Sequence, residues 1–268
     1  MERTDMRIDG QRIWITGASS GIGEALAYVL AERGARLILS SRREAVLESL
    51  RDSLPRPAQH AVVPLDLEAG ADLEELAGRV EREHGPVNVL INSGGISQRG
   101  YAVDTGMDVV RRIMETNFFG TVALTRGVLP GMLERQSGRI VVISSVVGKF
   151  GTPKRSSYAA SKHALHGYFD ALRLEVEDAG VGVTMVCPGY VRTAVSQNAL
   201  GPDGTPHAQL DKGQETGTSA EAAALRIARA IEGDEREIYF GGREVFGVYA
   251  KRFIPSMFDR VLKRVNTT

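Results

Sequence analysis

Tyr158 and Lys162 stand four residues apart in the stretch Tyr158-Ala159-Ala160-Ser161-Lys162. On a helix, positions i and i+4 share one face, which puts the Lys162 ammonium one turn from the Tyr158 phenol. A free phenol has a pKa of roughly 10, too high for a general base near neutrality. A neighbouring cation favours phenolate and moves the group toward the range where proton transfer is efficient. Such a pair suits proton exchange with an alcohol/carbonyl couple. Ser145 precedes Tyr158 by thirteen residues, just after the apolar run Ile140-Val141-Val142-Ile143. Taken alone, Tyr-x-x-x-Lys is more often structural than chemical. Its meaning depends on what surrounds it.

A second motif lies near the N-terminus. Arg12-Ile13-Trp14-Ile15-Thr16 reads as a short buried strand. It runs into Gly17-Ala18-Ser19-Ser20-Gly21-Ile22-Gly23, and then into the helical pattern that begins at Glu24. A strand, a glycine-rich turn and a helix N-terminus form a cradle for a dinucleotide. Glycine permits close backbone approach to pyrophosphate, and the free N–H groups and dipole of the helix favour an anion.

Together the motifs resemble the short-chain dehydrogenases/reductases. Thr16-Gly17, Gly21 and Gly23, Asn92-Ser93-Gly94-Gly95, Asn117, Ser145, Tyr158, Lys162 and Pro188-Gly189 follow that family's order and spacing over about residues 10 to 242. Ser93 replaces the family's usual Ala. The stretches from Gly94 to Arg99 and from Tyr158 to Leu165 resemble a subgroup of orphan reductases with microsomal animal members, associated with steroid, retinoid or quinone carbonyls. The resemblance implies an NADP(H)-dependent oxidoreductase that moves hydride between nicotinamide and a carbonyl or secondary alcohol. In that reading Tyr158 exchanges the proton, Ser145 holds the same oxygen, and Lys162 tunes the phenol and bonds the nicotinamide ribose. Asn117 distorts its helix to hold a water in a relay.

The same resemblance assigns the cofactor contacts. Gly17, Ser19, Ser20, Gly21, Ile22 and Gly23 cradle the phosphates, Asp66 and Leu67 meet the adenine, and Asn92, Ser93 and Gly94 support the central strand and ribose. Pro188, Gly189, Val191 and Thr193 meet the nicotinamide, as do Tyr158 and Lys162. For the nucleotide type, the second strand ends Ser41-Arg42-Arg43 rather than on the acidic residue that accepts bonds from the ribose of NAD. A guanidinium pairs with a 2′-phosphate, so NADP(H) is expected, with NAD(H) as the alternative. Ser19 stands where many NADP-preferring relatives place a second basic residue.

The elements needed to position these groups are legible as alternating periods. Strands are expected at 12–16, 36–41, 60–65, 87–93, 139–145, 182–187 and 237–241. Helices are expected at 21–33, 43–53, 71–84, about 106–135, 156–179 and 219–232. The alternation implies one α/β domain, a doubly wound, mostly parallel sheet of about seven strands with helices on both faces. Residues 1–10 form an N-terminal extension, and 190–217 resembles a substrate-covering segment. Residues 244–268 form a basic amphipathic tail in which Pro255 starts a second helical piece. That tail is expected to pack on its own protein or another subunit, with peripheral membrane contact as the less favoured reading.

Lys plus Arg and Asp plus Glu number 33 each, so no overall field draws nucleic acid. Cys187 is the only cysteine, which excludes an internal disulfide. His163 and His166 lack a third ligand nearby in sequence, so no metal site is expected. No signal peptide or spanning run is visible, making cytoplasmic residence the default, and a homo-oligomer (dimer or tetramer) is expected. The rival function is a catalytically silent nucleotide-binding regulator or scaffold on the same fold. Retention of Asn117, Ser145, Tyr158 and Lys162 speaks against it. A sugar-nucleotide epimerase would favour a G-x-x-G-x-x-G loop, which is absent.

Overall fold

The computed structural model describes residues 6–70 and 72–263, and the side chain of Lys212 is outside that description. The chain alternates strand and helix: β1 (Arg12–Thr16), α1 (Gly21–Glu32), β2 (Arg36–Ser40), α2 (Glu44–Ser53), β3 (Ala61–Val62), α3 (Asp72–His84) and β4 (Val89–Asn92). It continues through α4 (Met107–Met114), α5 (Gly120–Glu134), β5 (Gly138–Ile143), α6 (Ser156–Val176) and β6 (Val181–Pro188). The last part holds β7 (Val191–Arg192), α7 (Lys212–Glu215), β8 (Thr218–Ser219), α8 (Ala220–Glu232), β9 (Glu237–Phe240), α9 (Phe246–Phe253) and α10 (Pro255–Leu262).

Seven strands form one sheet in the order β3-β2-β1-β4-β5-β6-β9, and every pairing is parallel. The strands carry near-continuous Val/Ile/Leu runs because helices cover both faces. Ile13 and Ile15 pack with Leu26 and Leu30 of α1 and with Ala224 and Ile227 of α8. Trp14, pointing the other way, packs with Leu73 of α3, Leu124 and Val128 of α5 and Phe169 of α6. Its indole N–H donates to Ser40 Oγ at 2.8 Å, so the largest buried side chain leaves no orphan donor. The chain winds outward from β1 through β3, then crosses to β4 on the other side of β1. A doubly wound sheet opens its ligand crevice at that switch, beyond the strand C-termini.

The third strand is shorter than expected, two residues instead of six. The His60 ring Nδ1 accepts the Leu37 N–H at 3.1 Å, standing in for a ladder bond at the strand's start. Pro64 has no N–H to give further along, although Val63 and Leu65 still donate to Leu39 and Ser41. The long helix expected near 106–135 is α4 and α5 joined by a π-helical turn, Glu115–Phe119, that contains Asn117. Of the N-terminal extension, Met6 donates to Glu232 O and Ile8 is buried; residues 1–5 lie outside the described residues.

Candidate active site

One cavity of about 1130 Å³ lies along the strand C-termini and gathers most of the residues singled out by sequence. Its floor is the first βα turn. Gly17 has φ +66° and Gly21 φ +60°, conformations that L side chains rarely adopt. A Cβ on Gly23 would stand 2.3 Å from Gly17 O, and one on Gly17 2.8 Å from Gly94 Cα. Thr16 Oγ1 accepts from Ser93 N at 3.1 Å and Gly94 N at 3.0 Å, locking this turn to the loop after β4. Ser20 precedes α1 without a side-chain cap, which leaves the helix's first N–H groups facing the cavity. The turn therefore has the backbone approach and the donors that a pyrophosphate requires.

Ser19, Ser20, Ile22, Ser41, Arg42 and Arg43 line the same side. Arg43 reaches back over the turn, donating to Ser19 O and Ser19 Oγ at 2.9 Å each. The cation missing from position 19 is thus supplied by Arg43. Asp66 and Leu67 also line the cavity; one Asp66 oxygen accepts Glu68 N at 3.1 Å and so holds the local turn as well. Ser93, Gly94, Pro188, Gly189, Val191 and Thr193 complete the lining from the opposite side.

Three expected site residues do not line the cavity. Asn92 is buried and donates to Thr125 Oγ1 at 3.2 Å, so it braces β4 against α5 and does not touch a ligand directly. Gly23 acts through the turn's closure. Asn117 sits one layer behind: its Oδ1 accepts Ile96 N at 2.8 Å and its Nδ2 donates to Ile96 O and Ser161 Oγ, both at 2.9 Å. The expected helix distortion at Asn117 is present as the π-helical turn.

Tyr158, Ser145 and Lys162 meet in the middle of the cavity. Ser145 begins a short turn after β5, its Oγ accepting Val147 N at 3.3 Å, and its hydroxyl hydrogen-bonds the Tyr158 phenol. Burial raises the phenol's pKa; Arg155, Arg99 and the Ser145 hydrogen bond each lower it. Lys162 Nζ lies 5.8 Å from the Tyr158 ring centroid and donates to Ile143 O at 2.8 Å. Burial brings its pKa down to about 8, so it is still mostly charged at neutrality.

Sequence reasoning missed the other side of the cavity. Arg99, Arg155, Tyr190, Asp211 and Gln214 line its polar part, and Phe150, Phe246, Phe258, Val261 and Leu262 its apolar part. The last four belong to the tail, whose two helices close over the opening as two pieces divided at Pro255. Phe258 packs edge-to-face on Phe150 with centroids 5.1 Å apart. Phe246, Phe253 and Met257 keep 73, 76 and 56 % of their surface exposed, so part of the tail's apolar face is turned outward. Arg264 and the last residues of the tail lie outside the described residues. No helix among the described residues is long and apolar enough to cross a membrane.

Behind Ser145, Ser144 Oγ lies 3.1 Å from His166 Nε2, which is 3.6 Å from Cys187 Sγ. Cys187 in turn lies 3.7 Å from Glu237 Oε1. His, Cys and Glu together have ligand character, but Glu237 Oε1 already accepts Lys149 Nζ at 2.8 Å and the Tyr239 hydroxyl. Burial pushes the thiol's pKa up and the imidazole's down to about 4. The group is a neutral hydrogen-bonded chain behind the site.

The family model for "short chain dehydrogenase" matches residues 11–202. A "Dehydrogenase/reductase SDR family protein 7-like" of Anopheles gambiae is 41% identical, with 98% of this chain and 85% of the relative covered. "Dehydrogenase/reductase SDR family member 7B" of Danio rerio is 40% identical, with 95% and 85% covered. Among solved structures, a short-chain dehydrogenase from Streptomyces avermitilis superposes with a TM-score of 0.80 at 27% identity, covering 96% of this chain and 100% of that one. One from Burkholderia cenocepacia, in complex with NADP, gives 0.79 at 25% identity, covering 96% and 99%. This chain belongs to the short-chain dehydrogenase family, a family of oxidoreductases that act on small molecules with a nicotinamide cofactor.

Proposed function

We propose that the protein is an NADP(H)-dependent carbonyl reductase or alcohol dehydrogenase for an apolar substrate. The observation that carries this reading is the convergence of Tyr158, Ser145 and Lys162 at the seam between the glycine-rich turn and an aromatic-lined opening. The nicotinamide, when bound, supplies or accepts hydride. The protein's own residues handle the oxygen. Tyr158 gives its proton to the carbonyl oxygen in reduction and takes it from the hydroxyl in oxidation. Ser145, hydrogen-bonded to Tyr158, holds the same oxygen and offsets negative charge developing on it. Lys162 contributes a cation while the pH stays below about 8. Asn117 fixes the backbone of Ile96 beside it.

Preference for NADP(H) is supported by Arg42 at the cavity and Arg43 folded over Ser19, with no carboxylate at the end of β2. The neighbour solved with NADP is consistent with it. Phe150, Phe246, Phe258 and Leu262 favour a ketone or quinone with a hydrophobic body. The test is NADPH oxidation across a panel of ketones and quinones, and NADP reduction with hydroxysteroids. With any substrate turned over, Tyr158→Phe should lower kcat by about 10² to 10⁴-fold while NADPH still binds. Retained turnover in that variant would remove the acid/base assignment.

A further inference from the structure

The polar part of the substrate side holds a buried charge cluster that the proton chemistry above leaves unused. Arg99 comes from the loop after β4, and Arg155 immediately precedes α6, three residues before Tyr158. Asp211 comes from the covering segment, just before α7. Asp211 accepts from Arg99 Nε at 3.1 Å, from Arg99 Nη2, and from Arg155 Nη2 at 2.8 Å. The side chains of Arg99, Arg155 and Asp211 are only 4, 7 and 3 % exposed. Burying such charges is costly unless each is paired and hydrogen-bonded, so a surface segment would not keep them without a use.

Both ends of the cluster are fixed. Arg99 Nη1 also donates to Ser97 Oγ and Gln98 O, at 2.7 and 2.6 Å. The Asp211 N–H donates to Ser196 Oγ at 3.1 Å, and Ser196 in turn bonds Gln214. Leu200 N donates to Ser97 O and Leu200 O accepts Arg99 N, stitching the covering segment to the loop that carries Arg99. The charged groups facing Tyr158 are then Lys162 on its own helix, Arg155 at the helix start and Arg99 from the loop, with Asp211 as counter-charge. Two guanidiniums against one carboxylate leave one net positive charge at this end of the cavity. Both guanidiniums oppose the upward effect of burial on the phenol.

We propose that Asp211 is a positioning residue: it ties the covering segment to the start of α6 and holds Arg99 and Arg155 facing the acid/base end of the site. The covering segment and the proton chemistry are coupled through this one carboxylate. The inference rests on the acid/base reading of Tyr158.

The test is the pH dependence of kcat in the oxidation direction, with saturating NADP and the hydroxysteroid turned over fastest in the panel. There activity rises as the phenol loses its proton. Arg99→Gln removes one cation and leaves Arg155 and Asp211 as a balanced pair. Its acid limb should move up by about one pH unit, about tenfold less activity at a fixed acidic pH. Asp211→Asn, which releases both guanidiniums, should move the limb the same way and raise KM, and Asp211→Glu should restore much of the wild-type profile. NADPH binding, read by fluorescence, should persist in all three. An unmoved limb in Arg99→Gln, or an unmoved or lowered one in Asp211→Asn, overturns the proposal even if thermal stability falls. Should Asp211→Asn not fold, Arg99→Gln decides alone. An inactive Tyr158→Phe alongside an unmoved limb sinks only this inference, whereas an active Tyr158→Phe sinks the reading beneath it.

Discussion

Along the nucleotide side the cavity is walled by backbone: the turn at 17–23, the strand ends at 41–43 and 66–67, and the loop at 93–95. Along the substrate side it is walled by large side chains, from Arg99, Phe150, Arg155, Tyr190, Asp211 and Phe258. The first wall depends on which φ angles and atomic approaches are allowed, so each piece is specified within a few residues of sequence. The second depends on which distant segments the topology brings together, and one side chain can be exchanged without dismantling the rest. Substitutions should therefore act as global failures on the first wall and as graded, substrate-specific losses on the second.

The largest effect should follow from Gly23→Ala. The new methyl would stand 2.3 Å from Gly17 O and 2.8 Å from Gly17 C, both backbone atoms that cannot swing aside. The turn must open, and dinucleotide binding should be lost in titrations, with a stability loss of about 1–3 kcal/mol. Gly151→Ala is the control, since nothing lies within 4 Å of its added methyl. Equal behaviour of the two variants would break the distinction between backbone-built and side-chain-built walls.

The next effect concerns the neutral chain behind Ser145. His166 titrates near 4 in the folded protein against an ordinary value of 6.5, because burial disfavours the imidazolium. Between those values the unfolded chain takes up a proton that the folded one refuses. Stability is therefore fully present above pH 6.5 and falls as the pH drops toward 4, by up to about 3 kcal/mol. Denaturation midpoints at pH 7 and pH 5 should show the loss, and His166→Gln should flatten it. A slope unchanged by that substitution would place the acid sensitivity elsewhere.

Arg42→Ala should raise KM for NADPH about tenfold or more and leave that for NADH nearly unchanged, the loss expected for a charge-assisted hydrogen bond to phosphate. Arg43→Ala removes the hold on Ser19 as well, so it should weaken both nucleotides. Equal effects of Arg42→Ala on the two nucleotides would remove the phosphate assignment and sever the nucleotide wall from its specificity.

How much of this was legible in the sequence follows the same division. The order of strands and helices, the glycine turn and the Tyr158/Lys162/Ser145 set could be read because periodicity and short spacings encode them. The third strand was misjudged because His60, far from any motif, replaces a ladder bond with its ring. Asn92 resembled a ligand contact, yet a side chain at a strand end can turn either way, and here it turns to Thr125. Asp211 carried no signal at all. It lies in a Gly/Pro-rich stretch 112 residues from Arg99, and only the fold makes them partners. Arg99 had been noticed within its motif, but its charge has no role until Asp211 and Tyr158 are placed.

The smallest effect should come from the tail, and it sharpens the comparison most. Phe258 is half-buried and meets Phe150 edge-to-face, with Gly247 leaving room for both rings: a Cβ there would come within 3.1 Å of each. Such an aromatic pair is worth about 0.5–1.5 kcal/mol beyond its buried area. Phe258→Ala should therefore cost only a few degrees in Tm, because α10 touches the body of the protein at few other places and the sheet does not depend on it. KM for a bulky hydrophobic ketone should rise several-fold, while a small ketone such as cyclohexanone is affected less. NADPH affinity should be unchanged, since no residue of the tail lies beside the turn at 17–23. If NADPH affinity fell in step with substrate affinity, the tail would be bracing the whole cavity and the two walls would not be separable.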